Sequence, residues 1–303
     1  MKSVPRRSSF VAIVLFAFSS AVCAWPQTPS KPAPATKGVT LTEFVNAIQL
    51  KAKTLENSSG MRSAFQSFVK NHHLGPDSVR YSDFVIVRLL FEATRDAGFW
   101  NMHWSITDQP PNSDRIWSQW KAVQRPTVSV PTATAECDEL SALYAFLVER
   151  AGVKGVGLFW PAANHTVAVW MLKPTSGPVV RVVVPTSQIF LEETDTFDTR
   201  KFDPWRQKTI YEYTRRDVPG TFEIPKPLAS FFLKQIDIYG GASDATLQRL
   251  RYVRDAVFVR TWTTEQAARD AENRRTAVPP DAKEDAFALK NFAADMQSEP
   301  YRH

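Results

Sequence analysis

Cys137 and His165 are the two residues whose types and surroundings could support catalysis. Cys137 opens a segment in which apolar residues recur with the spacing of one helix face, so we expect it in the first turn of a helix. Free backbone N–H groups and the helix dipole favour a thiolate at that end. His165 begins a predicted strand that runs to Leu172, and an imidazole packed near the helix end would supply the base that a nucleophilic thiol needs.

Three carboxylates flank the thiol, and a structural role for both residues competes with catalysis. Glu136, Asp138 and Glu139 are expected to raise the thiol pKa by charge repulsion, although acidic residues in a solvated first turn also favour helix formation. Cys137 could equally be a small buried apolar residue, since free cysteines are among the most buried side chains. His165 could equally be a buried strand residue with its polar atoms satisfied.

The amino terminus has the three parts of a secretory signal peptide. A basic start is followed by an apolar run and by small residues up to Ala24, which predicts cleavage there and a periplasmic or secreted mature protein. The apolar run is too short for a spanning helix, so we expect no stable membrane insertion after cleavage. The alternative is a lipoprotein anchored through Cys23, although the bulky Val22 before it disfavours that site.

Removal of residues 1–24 leaves Cys137 as the one thiol, which excludes an internal disulfide. No zinc site is expected either, because the only close pair of cysteine or histidine residues is His72-His73. The 37 Lys and Arg residues fall to 34 without the three in the signal peptide, against 31 acidic residues. The resulting charge of +3 gives no reason to expect nucleic acid as a partner, and we expect neither a cofactor nor a metal.

Composition and patterning divide the rest of the chain into four regions. Its 44% hydrophobic and 22% charged residues suit a folded globular protein. Thr40 and Glu43 have the spacing of a capping box at the start of the first helix. Two strand-like runs flank a turn-rich connector at 173–178 and are expected to pair antiparallel. The predicted regions are a Pro-rich tether at 25–40, a helical region at 41–125, an α+β core at 126–224 and a helical region at 225–303.

A cluster of five aromatic residues lies between Phe99 and Trp120. Tryptophan and phenylalanine are more often buried than exposed, so we expect these side chains in the core. An exposed surface on which sugars or peptides stack is the alternative. Ser113 is expected to cap a short helix that begins at Asp114, because serine side chains often accept hydrogen bonds from the first helical N–H groups.

Four pieces between Thr132 and Gln188 occur in a telling order. They are Cys137 at a helix start, Arg150-Ala151-Gly152-Val153 at its end, the strand His165 to Trp170, and Pro185-Thr186 after a second strand. In this order the region resembles the transglutaminase-like branch of the papain-like cysteine enzymes. The resemblance implies an α+β papain-like core in which Cys137 is the nucleophile and His165 its base. It also implies chemistry on amide bonds, either hydrolysis, as in a thiol protease, or acyl transfer.

The third position of the family's site departs from the pattern. The resemblance implies an Asp before the Pro-Thr pair that orients the imidazole, but Val184 stands there and has no group to fix a tautomer. Asn164, Thr186 and Gln188 are the nearby polar residues that could replace it, as orienting groups or as donors to an oxyanion. Further upstream, a second oxyanion donor could come from Trp117, Trp120 or Gln124.

Three interpretations stay open. As an enzyme, the protein would use Cys137 to attack an amide carbonyl in a peptide, a protein or a cell-wall peptide, while His165 carries the proton. As a degenerate member of the family, it would bind a peptide or protein partner through Trp160 or Trp170 without chemistry. As a helical scaffold, it would bury both the thiol and the imidazole.

Overall fold

The computed structural model describes residues 38–75, 78–162, 165–174, 177–187 and 209–259. Helices and short, mostly antiparallel strands form largely separate runs along these ranges, which confirms the predicted α+β class. In chain order the elements are β1 (Val39–Thr40), α1 (Leu41–Leu55), α2 (Ser59–Asn71), α3 (Tyr81–Thr94), β2 (Met102–Trp104), α4 (Asp114–Ala122), β3 (Ala133–Ala135), α5 (Cys137–Arg150), β4 (Val156–Ala162), β5 (His165–Leu172), β6 (Val180–Val184), β7 (Tyr211–Glu212), β8 (Glu223–Ile224), α6 (Lys226–Tyr239) and α7 (Asp244–Val259).

The largest sheet has the strand order β6-β5-β4-β7, and all its neighbours pair antiparallel. The pairing of β5 with β6 confirms the hairpin predicted across the turn-rich connector, and Ala168 lies opposite Val184 in its register. Helix α5 packs on one face of this sheet and contributes Leu140 and Leu147 to the main core. This helix ends as its sequence predicts, because Gly152 adopts a φ of 91°, a conformation that glycine accepts without strain.

The first helix begins at the predicted capping box. The N–H of Glu43 donates to the Thr40 hydroxyl at 3.2 Å, and the N–H of Thr40 donates to the Glu43 carboxylate at 2.8 Å. Just before this cap, β1 pairs antiparallel with β8, with Val39 opposite Ile224. The end of the predicted tether therefore contacts the strand that precedes α6.

One main hydrophobic core draws on all three predicted regions beyond the tether, from Leu41 to Leu247. The predicted aromatic cluster lies inside it, which confirms the core interpretation. Trp100 stacks on Phe232 of α6 with ring centroids 4.5 Å apart. The proposed region boundaries stay a prediction. The buried aromatic residues of the cluster are Phe99, Trp100, Trp104, Trp117 and Trp120.

The predicted cap of α4 is wrong in its chemistry, although α4 does begin at Asp114. The Ser113 hydroxyl donates to the buried Asp217 carboxylate and accepts the indole N–H of Trp117 at 2.7 Å, instead of capping the helix. The N–H of Asp114 donates to the Asn112 side chain at 3.0 Å. A distant buried carboxylate therefore competes successfully for the hydroxyl that the local pattern assigns to the helix.

Some predictions fall on other parts of the chain. The signal peptide at 1–24, the tether up to residue 37 and the end of the last region, at 260–303, lie outside the described residues. Among the residues that are described, no helix has both the length and the apolar character needed to cross a membrane.

Candidate active site

Cys137 is the first residue of α5, and its sulfur accepts backbone hydrogen bonds. The N–H of Thr166, the second residue of β5, donates to the Cys137 Sγ at 3.4 Å. The N–H of Asp138 also donates to this thiol. These contacts arise because the amino-terminal end of α5 packs against the start of β5. The side chain is nearly enclosed, with 7% of the residue exposed.

His165 directly precedes Thr166 in β5. The peptide bond that donates its N–H to the Cys137 Sγ is the bond between His165 and Thr166. His165 is 1% exposed, and burial lowers the pKa of its imidazole to about 3. The structure therefore brings the predicted nucleophile to the backbone of the predicted base, and the imidazole is neutral near pH 7.

The thiol is neutral as well. Burial raises the pKa of Cys137 well above its ordinary value, and the carboxylates of Asp138 and Glu136 raise it further. The N–H groups of Thr166 and Asp138 act in the opposite direction, because they stabilise a thiolate. Burial and charge repulsion outweigh these two hydrogen bonds, so this arrangement holds a protonated thiol beside a neutral imidazole rather than an ion pair.

The acidic residues around Cys137 form a partly buried carboxylate clasp, here defined as Glu136 and Glu139 together with Thr107. The Thr107 hydroxyl donates to the Glu139 carboxylate at 2.5 Å, and the Thr107 N–H donates to the Glu136 carboxylate at 3.0 Å. The Glu139 carboxylate also accepts the N–H of Glu136 at 3.0 Å, as in a capping box. The expectation of a solvated first turn is wrong for Glu139, which is fully buried because Thr107 satisfies it.

The two faces of β5 separate His165 from position 184. Ala168 faces the main core beside α5, whereas Val167 and Val169 join a smaller cluster on the other face of the sheet. Side chains alternate along a strand, so His165 shares the face of Val167 and Val169. Val184 lies opposite Ala168, on the face of α5, and is fully buried in the main core. A carboxylate at position 184 would thus not face the imidazole. The same alternation sets the His165 side chain on the sheet face away from α5, so the contact of β5 with the Cys137 sulfur runs through the backbone of β5.

Thr186 was predicted to orient the His165 imidazole, but its hydroxyl contacts α5 instead. Its hydroxyl lies 2.7 Å from the Ser141 hydroxyl and 3.4 Å from the carbonyl oxygen of Cys137. Asn164 and Gln188, the other two predicted orienting groups, lie outside the described residues.

Ser141 is a residue of this site that the sequence interpretation missed. Its hydroxyl donates to the carbonyl oxygen of Thr166 at 3.4 Å, beside its contact with Thr186. The available signal was helical spacing, since Ser141 follows Cys137 by one turn on the same face of α5.

The remaining predicted donors and binding residues are placed elsewhere. The indole N–H of Trp117 donates to the Ser113 hydroxyl, and Gln124 is exposed. Trp170 is 2% exposed and stacks on Phe68 with centroids 6.1 Å apart. Trp160 is 9% exposed. Both tryptophans of the predicted peptide surface are therefore buried, and their binding role stays a prediction.

A second buried histidine, His103, lies in the ribbon that leads into Cys137. Strand β2 pairs with β3, placing His103 opposite Thr134. Its Nδ1 lies 3.9 Å from the Asp96 carboxylate, which also accepts the N–H of Trp104 at 2.7 Å. Burial lowers the pKa of His103 to about 4.

Among the described residues, no group of three or more His, Cys, Asp and Glu side chains is placed to hold a metal.

Comparisons with protein-family models, with curated proteins and with solved structures found no match to this chain.

Proposed function

We propose that the protein is an exported thiol enzyme with a transglutaminase-like, papain-like core that acts on amide bonds through Cys137 and His165. The observation that carries the proposal is the hydrogen bond from the His165–Thr166 peptide to the Cys137 sulfur. It joins a thiol at a helix start to the strand that begins with the imidazole, which is the arrangement that the family resemblance implies. The substrate would be a peptide, a protein or a cell-wall peptide.

The proposed reaction is acyl transfer through the thiol. Strand alternation sets the His165 imidazole on the sheet face away from α5, so the reaction requires this side chain to turn toward the Cys137 sulfur. The Cys137 thiol then gives its proton to the imidazole as its sulfur bonds to the amide carbonyl carbon, and the C–N bond breaks while the imidazolium protonates the departing amine. Water or an amine attacks the resulting thioester, which releases the acid or a new amide and restores the thiol. The N–H of Cys137 is the donor proposed for an oxyanion, because the next three N–H groups of α5 already donate to the Cys137 sulfur, the Asp138 carboxylate and the Glu136 carbonyl oxygen.

The buried, neutral thiol and imidazole define what catalysis would require. The pKa of Cys137 is raised and that of His165 is lowered, so proton transfer between them is unfavourable in the closed arrangement. In the proposed enzyme, substrate entry must bring water or polar groups to the site. These would lower the pKa of Cys137 and raise that of His165 before the thiol reacts. We therefore expect the thiol to react slowly without substrate and faster when substrate is bound.

Turnover of amide bonds tests the proposal. The mature chain, residues 25–303, is incubated with casein in the presence and absence of a fluorescent primary amine, so that hydrolysis releases peptides and transfer labels the casein. Cys137→Ser and His165→Gln should abolish either activity. His103→Gln is the matched control, because it replaces another buried histidine whose pKa burial also lowers. An activity that survives Cys137→Ser would overturn the proposal.

The second candidate is a catalytically degenerate module of the same core that binds a peptide or protein. The observation that favours it is the burial of Cys137 beside Asp138 and Glu136, which keeps the thiol protonated. Wild-type protein without turnover in the casein assay, together with Cys137→Ser that is as stable as wild type, would support this candidate over the enzyme.

A further inference from the structure

Two buried hydroxyl groups connect the start of α5 to the start of β5. The Ser141 hydroxyl lies 3.4 Å from the carbonyl oxygen of Thr166, and the Thr186 hydroxyl lies 3.4 Å from the carbonyl oxygen of Cys137. The two hydroxyls lie 2.7 Å apart, the shortest of the three contacts. Because each hydroxyl has one hydrogen, Thr186 donates to Ser141 when Ser141 donates to the Thr166 carbonyl. Both side chains are fully buried, so water does not compete for these bonds.

The backbone around Thr186 is also fixed. Its carbonyl oxygen accepts the N–H of Asp96 at 2.8 Å, and strand β6 has already ended at Val184. Next to it, Thr166 directs its N–H to the Cys137 sulfur and its carbonyl oxygen to Ser141. Beyond the last printed pair of the β5–β6 ladder, the backbone groups of Thr166 and Thr186 thus bond to α5 and to Asp96.

We infer that Ser141 and Thr186 are positioning residues that hold the Thr166 N–H against the Cys137 sulfur. Because this inference assigns the support of the same thiol, it rests on the proposed function for its catalytic meaning. Its physical content is separate. The Ser141 hydroxyl holds the Thr166–Val167 peptide through the Thr166 carbonyl, which restricts the backbone torsions of Thr166 and so the neighbouring His165–Thr166 peptide that carries the N–H. Thr186 in turn fixes Ser141. The N–H bond it supports stabilises the thiolate form of Cys137.

Exchange of the Thr166 amide proton, followed by NMR in the folded mature chain, reports this bond directly. Thr186→Val keeps the shape of the side chain and removes the hydroxyl, and we expect exchange of the Thr166 amide to accelerate about tenfold or more. Alkylation of Cys137 by iodoacetamide should shift to higher pH in the same variant. Thr186→Ser restores the hydroxyl and should return both readings to wild-type values.

Thr94→Val is the matched control, since Thr94 is also fully buried and its hydroxyl donates to Leu90 O within α3 at 2.8 Å. It should leave the Thr166 amide and the alkylation profile unchanged. If Thr186→Val does not fold, Ser141→Ala removes the other hydroxyl and is judged by the same two readings. The inference is overturned if neither hydroxyl deletion differs from Thr94→Val, or if Thr186→Ser behaves like Thr186→Val.

These outcomes are independent of turnover. Failure of the proposed function would leave casein uncleaved and unlabelled while the Thr166 amide still responds to Thr186→Val. Failure of the inference would leave the amide unresponsive, whatever the casein assay gives.

Discussion

The peptide N–H of Thr166 lies 3.4 Å from the sulfur of Cys137 and donates to it. This contact joins the first turn of α5 to the strand that His165 begins, across 29 positions of the chain. It places a thiol, an imidazole-bearing residue and a backbone donor at one point of the fold. The same point is dry and acidic, because both residues are buried and carboxylates surround the thiol.

Thr107→Val should destabilise the protein near neutral pH by about 1.5–3 kcal/mol, the usual effect of removing a hydrogen bond to a charged group. The buried Glu139 carboxylate would lose the hydroxyl that lies 2.5 Å away. Burial raises the pKa of Glu139, so this carboxyl becomes protonated in the folded protein as pH falls through that raised value. The effect of the substitution should therefore shrink in acid.

Urea unfolding of wild type and Thr107→Val at about pH 7 and about pH 5 measures this difference. Thr127→Val is the control, since the Thr127 hydroxyl pairs only with exposed Ser129 among the described residues. An equal loss of stability in the two threonine variants would contradict the clasp.

His165 should make the protein less stable as pH falls below about 6.5. The pKa of its folded imidazole is about 3, so between these values the unfolded chain binds the proton and the folded one does not. Wild type should therefore lose up to about 1.4 kcal/mol per pH unit relative to His165→Gln. Buried carboxyls with raised pKa values, such as those of Asp138 and Asp217, act in the opposite direction in both proteins and cancel in the comparison.

Urea unfolding of the two proteins at about pH 7, 6 and 5 gives this slope. Parallel stability curves for wild type and His165→Gln would mean that the imidazole takes up its proton in the folded state, against its burial.

Trp170→Ala should lower the unfolding free energy by about 3–5 kcal/mol, as expected for a large core side chain. Trp170 is 2% exposed and stacks on Phe68. Tyr252→Ala serves as the exposed counterpart, because Tyr252 is 77% exposed and should change stability by no more than about 0.5 kcal/mol. A stable Trp170→Ala variant that loses a peptide ligand would instead support the aromatic binding surface.

Short-range patterns predicted the parts of the fold that depend on neighbours in sequence. The capping box at Thr40, the position of Cys137 at a helix start and the pairing of β5 with β6 all follow from such patterns. The spacing of Ser141 one turn after Cys137 also predicts that both lie on one helix face. Its contact with Thr186 could not be predicted, because the two residues are distant in sequence.

Long-range contacts set the rest of the site. Thr107 and Glu139 are 32 positions apart, and no local pattern relates them. Their contact stabilises the buried Glu139 carboxylate, which the sequence alone predicts to be exposed to solvent. Ser113 failed as a predicted cap for the same reason, because the distant Asp217 carboxylate takes its hydroxyl. The register that turns Val184 away from His165 required the paired strands themselves.

The rate of Cys137 alkylation by iodoacetamide from about pH 5 to 10, in the folded mature chain, tests most directly whether Cys137 and His165 act together. Three proteins are compared: wild type, His165→Gln and His103→Gln. The account predicts slow labelling near neutral pH in wild type, still slower labelling in His165→Gln because the proton acceptor is lost, and a wild-type profile in His103→Gln. Identical profiles in all three proteins, or labelling only after unfolding, would contradict a thiol–imidazole pair.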